Sequence, residues 1–145
     1  YAEVASRLDK IAAAERQYNL LATYFRNNLK LAYLYKNGEP IEAIHQKVNT
    51  ELFVRGLIKE MLPIEAFHTV LQHILAEDLY LTEVLPQIVE SRNQDLRVDF
   101  AENSGLDLFR IEELEKEYAE RHRLPETALP PIETLPLRRA RPATA

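Results

Sequence analysis

Two short stretches, PIEAIHQKV from Pro40 and PIEAFHTVL from Pro63, each place a glutamate three residues ahead of a histidine. On a helix that spacing brings a carboxylate and an imidazole to one face. Two such pairs on two helices, with a further Glu from each of two others, can hold a two-metal carboxylate centre. Glu42, His45, Glu65 and His68 are therefore the candidate metal ligands, with Glu77 and Glu83 as extra carboxylates. Distance argues against one shared centre. Each pair lies in the first two turns after its proline, so consecutive antiparallel helices would hold the pairs on the order of 30 Å apart at 1.5 Å per residue. A chain that did not reverse at Pro63 would separate them equally. The simpler reading is that each Glu complements the positive end of its helix and each His flanks an apolar stripe. No metal or cofactor is expected, beyond a lone surface zinc or a site between subunits.

Other chemistries find less support. The sequence has no Cys, which excludes disulfides, thiolate metal sites and cysteine nucleophiles. None of Ser6, Ser91 and Ser104 stands in a G-x-S-x-G context, and no glycine-rich phosphate loop is present. His73 and Glu77 read as a solvated pair one turn apart. Asp78 falls between Ile74 and Leu81 on the apolar face of its helix, at about 100° per residue. A buried carboxylate there needs a partner, and Lys47, level with it in an antiparallel hairpin, is a candidate. An ion pair fixing helix register is the favoured role for Asp78. A polar contact with another chain is the second.

The elements that position these residues read as helices. Val4, Leu8, Ile11, Tyr18, Ala22, Phe25, Leu29 and Ala32 follow a 4-3-4-3 rhythm, interrupted by Glu15. The rhythm predicts one helix over 1–37, roughly 50 Å long, stopped by Asn37-Gly38 and Pro40. Pro40, Pro63 and Pro86 recur every 23 residues. Proline suits the first helical turn, so helices are predicted over 40–61, 63–85 and 86–97. The apolar face of 40–61 switches near Glu51–Gly56, which implies a bend or two neighbours. AENSGLD reads as a loop, and Ser104 followed three residues later by Asp107 resembles an N-cap arrangement opening a last helix over 105–122. That helix carries Leu108, Ile111, Leu114 and Tyr118 on one face and Glu112, Glu113, Glu115, Glu117 and Glu120 as an acidic surface.

Residues 124–145 hold five prolines, which preclude a regular helix and favour extended, polyproline-like geometry. Leu129, Ile132 and Leu135 make this arm unusually apolar for a free linker. It is expected to lie along a surface, its own or a partner's, with Arg138 and Arg139 near an acidic neighbour.

These readings give an all-α protein: an antiparallel helical bundle over 1–123 with a long N-terminal helix, and a proline-rich extended arm over 124–145. Apolar residues are 46% of the 145, charged residues 28%, and the net charge is −5. That balance disfavours general nucleic-acid binding, and no apolar run approaches the roughly 20 residues of a membrane span. A soluble, intracellular setting, cytosol or organelle matrix, is expected. The first residue, Tyr1, is expected to mark a processed chain or a piece of a longer one. A 50 Å helix beside neighbours near 33 Å leaves part of its stripe uncovered. The expected function is therefore non-catalytic: an interaction module serving as accessory subunit, assembly factor or adaptor. Val4, Leu8, Ile11, Tyr18, Asp78, Leu129, Ile132, Leu135, Arg138 and Arg139 are its contact residues. The alternatives are a metal- or cofactor-binding bundle enzyme using the Glu-x-x-His pairs, and a signalling domain dimerised by coiled-coil pairing of helix 1.

Overall fold

The computed structural model describes residues 2–131 and is all-α, with no strand among those residues. The chain divides into two compact units, Tyr1–Leu75 and Ala76–Ala145.

The first unit begins with α1 (Ala2–Arg26) and α2 (Leu29–Lys36). The expected single helix over 1–37 is thus broken at Asn27 and Asn28. Asn side chains compete for backbone hydrogen bonds, and the Asn28 amide donates to the Tyr24 carbonyl at 2.9 Å, satisfying a group the break would orphan. Next come α3 (Ile41–Val54) and α4 (Ile64–Leu79), each starting directly after its proline as the sequence predicts. α3 ends seven residues short of expectation, because Gly56, at φ 73°, turns the chain left-handed. The Gly56 N–H then bonds the Phe53 carbonyl and the Leu57 N–H the Leu52 carbonyl, closing the helix end. The change of apolar face read from the sequence is this exit from the helix. Leu21, Phe25, Leu52, Phe67, Leu71 and Ile74 are fully or almost fully buried and form the core, with Phe25 edge-on to Phe67 at 6.0 Å.

One polar side chain fastens the loop between α3 and α4. Asn49, buried, accepts the Leu62 N–H at 2.8 Å and donates to the Leu62 carbonyl at 3.3 Å and to the His45 carbonyl at 3.0 Å. It acts as a backbone substitute where no helix or strand supplies partners.

In the second unit the helix does not restart at Pro86. A π-helical turn, Tyr80–Val84, leads into α5 (Leu85–Ser91), with the Leu85 N–H on the Tyr80 carbonyl. Proline has no N–H and its ring collides with the carbonyl four residues back; widening the preceding turn accommodates it. A helix over 86–97 is therefore corrected twice: Ser91 ends α5, left-handed Arg92 follows, and Asn93 caps α6 (Gln94–Ser104). AENS belongs to that helix and is not loop. Asp107, and not the expected Ser104, caps α7 (Leu108–Arg121), accepting the Arg110 N–H at 2.7 Å; Ser104 is the last residue of α6, so α7 starts later than the sequence suggests. Tyr80, Leu85, Ile88, Ala101, Ile111 and Leu114 form this unit's core. α7 ends with Arg123 in the left-handed region, φ 53°, where glycine is the usual residue. That conformation costs roughly 1–2 kcal/mol for a residue with a Cβ. The expected arm is described as far as residue 131. It is non-helical apart from a 3₁₀ turn at Glu126–Ala128. Ile132, Leu135, Arg138 and Arg139 lie outside the described residues.

Candidate interaction surface

The Glu-x-x-His pairs take separate structural duties. Glu42 and Glu65 are exposed in the first turns of α3 and α4. His45 Nε2 donates to the Leu62 carbonyl at 2.8 Å, and its ring meets Phe67 edge-on at 5.0 Å. His68 is exposed, its Nδ1 3.2 Å from the Tyr35 hydroxyl. The two imidazoles thus serve different neighbours. Among the described residues no group of three or more His, Asp or Glu gathers in a way that could hold a metal ion.

The buried charges are in the second unit. Arg97 of α6 has a side chain only 1% exposed and grips Glu115 of α7 with both edges: Nε to Oε2 at 2.7 Å and Nη2 to Oε1 at 2.8 Å. The Tyr80 hydroxyl donates to the same Oε2 at 2.6 Å. Burial and the adjacent Glu115 charge push the Tyr80 phenol far above its ordinary range. Glu77, also buried, receives Arg110 Nε at 3.0 Å and Nη2 at 2.8 Å. Burial works against the Arg110 charge, but the Glu77 hydrogen bonds and charge, aided by Glu113, leave its pKa above the usual arginine value. No side-chain nitrogen or oxygen buried among the described residues lacks a hydrogen-bond partner, so these charges are closed networks.

Two sequence readings are corrected here. The carboxylate on the buried face is Glu77; Asp78, half-exposed, lies one residue around the helix. Glu77 continues the Val70–Ile74 line at i+7 and i+3, which is the available signal, and Tyr80 extends it. Glu115 belongs to the core and not to the acidic surface of α7; its place one turn after Ile111 is the clue. Arg97, one turn before buried Ala101, carries a similar clue.

The first unit exposes apolar surface in two places. Every residue from Ala2 to Ile11 is exposed, and the stripe residues Val4, Leu8 and Ile11 are 58%, 60% and 56% exposed. Further along α1, Tyr18 is half-buried against the core with its hydroxyl 2.7 Å from His73 Nδ1, and Leu21 and Phe25 are fully buried. The same helix therefore passes from core element to uncovered stripe. The second place is the end of α3 and its loop, where Phe53, Val54, Leu57 and Met61 are exposed beside a groove of about 180 Å³ lined by Asn49, Thr50, Phe53, Ile58 and Met61. Sequence reasoning missed this patch because it ran α3 to Met61. No helix among the described residues is long and apolar enough to cross a membrane.

A family model described as conserved hypothetical protein CHP04442 matches residues 1–134. The chain belongs to that family. The match takes in both the exposed start of α1 and the buried Arg97–Glu115 pair. No curated protein and no solved structure matches the chain.

Proposed function

We propose that this chain is a non-catalytic helical interaction module, an accessory subunit, assembly factor or adaptor, that grips a protein partner through the start of α1. The observation that carries this reading is the uncovered stripe Val4, Leu8 and Ile11. It keeps heptad-like spacing and continues the line that, after Tyr18, enters the core. Apolar area removed from water stabilises by roughly 25 cal/mol per Å², so a partner helix laid along this stripe gains what the chain's own core does not supply. An amphipathic helix with i, i+4, i+7 anchors is a recurring recognition device. Glu3, Arg7, Asp9 and Lys10, all exposed on the same segment, supply the mixed charges that select a partner at the rim. The buried ion pairs of the second unit fit a scaffold role, since each of their buried nitrogens and oxygens has a hydrogen-bond partner within the chain.

The test is quantitative mass spectrometry of what co-purifies with the tagged chain from its native host, compared with the Leu8→Glu/Ile11→Glu variant. A stoichiometric partner recovered with the native chain and lost with the variant is expected. Equal recovery by both chains would reject α1 as the grip.

A further inference from the structure

Beyond α1, the second unit contains a peptide site that is already filled. After Arg123 the chain leaves α7 and runs through Pro125 and a single 3₁₀ turn to Leu129, Pro130 and Pro131. Leu129 packs against the Tyr80–Ile111 cluster, and Pro130 is buried. The two guanidinium nitrogens Nη2 and Nη1 of Arg97 donate to the carbonyls of Pro130 and Pro131, at 2.8 and 3.1 Å. Arg92 donates to the Thr127 carbonyl. Arg97 thus divides its donors: one edge is fixed by the Glu115 carboxylate, and the remaining N–H groups read two successive backbone carbonyls.

This is the chemistry of polyproline recognition. Proline has no N–H to satisfy, its carbonyls have no internal partners, and its stiff backbone loses little freedom on docking. The occupant hangs from one chain passage, Arg121–Leu124. That passage closes with the Arg123 N–H on the Glu120 carbonyl and the Leu124 N–H on the Ala119 carbonyl, and it forces Arg123 to φ 53°. Swinging the arm out releases that strained residue at the expense of the two hinge hydrogen bonds, and an identical arm from another molecule restores the contacts of Thr127, Leu129, Pro130 and Pro131. We infer that Arg97 and the Tyr80–Ile111 cluster form a receptor for an extended Pro-Pro segment, and that a second copy of this chain fills it by reciprocal arm exchange.

The test uses full chains carrying Leu8→Glu/Ile11→Glu, so that association through α1 does not contribute and the two proposals fail separately. A chain with Leu129→Ser/Pro130→Gly has an open receptor and a poor arm; a chain with Arg97→Gln has the reverse. Analytical ultracentrifugation of the mixture is expected to give a one-to-one heterodimer, with each chain alone monomeric. A mixture that stays monomeric while both chains keep their helical circular dichroism overturns the exchange. Should Arg97→Gln unfold, Arg123 decides. Arg123→Pro, which cannot take a positive φ, is expected to raise the dimer fraction at least threefold over Arg123→Gly. Equal fractions overturn the proposal. A fluorescent peptide of residues 124–131 is expected to bind the Leu129→Ser/Pro130→Gly chain at least tenfold tighter than the chain with its native arm, because the tethered arm competes. Absence of peptide binding to the open receptor likewise overturns it.

Discussion

Of the described residues, the first unit buries one polar side chain, the neutral amide of Asn49, whereas the second buries Arg97, Glu77 and Glu115. The outer surfaces differ too. The first unit leaves Val4, Leu8, Ile11, Phe53, Val54, Leu57 and Met61 exposed, while the second exposes Leu79 and Phe109 and covers part of its apolar cluster with Leu129. An apolar core needs shape and area but does little to fix register. A bidentate arginine–carboxylate pair adds directional demands and fixes which faces meet, at a desolvation cost. The uncovered stripe of α1 thus belongs to the first unit, and the buried charges that fix which helix faces meet belong to the second.

The sharpest way to break this contrast is to remove a charge from the second unit. Arg97→Met leaves Glu115 buried with only the Tyr80 hydroxyl, and a loss of about 3–5 kcal/mol is expected from stranding one half of a buried pair. Urea unfolding followed by circular dichroism measures it. Arg97→Met/Glu115→Met is expected to recover more than half of that loss, since no charge is then left alone. If the double variant is no better than the single, the pair stabilises by more than its own compensation.

In the first unit, Asn49→Ala strands the Leu62 N–H, while the Leu62 carbonyl keeps its bond from His45, and a cost of about 1–3 kcal/mol is expected for the buried donor left unmade. Hydrogen exchange at Leu62 should accelerate well before that of the α3 core. A smaller effect concerns alkaline pH. Tyr24 donates to Glu51, and burial followed by that hydrogen bond raises its pKa from 10.0 to about 12. Its neutral form is favoured by folding, so the contribution is complete below pH 10 and is lost as pH rises from about 10 to about 12. Tyr24→Phe is expected to flatten the stability curve across that window, measured by urea midpoints. Smallest of all on stability is Leu8→Glu/Ile11→Glu: under about 0.5 kcal/mol, as for exposed positions generally. A large loss there would mean the stripe is covered within the isolated chain and would erase the contrast.

What the sequence discloses follows from where local chemistry suffices. Pro40 and Pro63 open helices because the residues after them satisfy the ladder. The exposed start of α1 is legible because helix length exceeds what neighbours can cover. Reading failed where one local signal competed with another. Asn27-Asn28 breaks a stripe that otherwise runs on, and Pro86 is absorbed by a wide turn where it should start a helix. Asp78 and Glu77 differ by one step around the helix; the Val70–Ile74 line runs on to Glu77, and its partner Arg110, 33 residues away, holds it inside. Arg97 and Glu115 are 18 residues apart on different helices, and neither helix alone announces the pair.

The wide turn at Tyr80–Val84 also governs how this region tolerates changes in length. It stores about one residue more than an α-helical turn of similar rise. Deleting a single position there would let the ladder rewind to a regular α-helix with Leu85 and Ile88 still on their present face, and the Pro86 ring would then meet the carbonyl four residues back. Those two side chains would keep their places in the cluster while the ladder around Pro86 came under strain. Family members that lack this surplus position are then expected to have lost Pro86 as well, and to carry their apolar pattern beyond it one step out of phase with this chain.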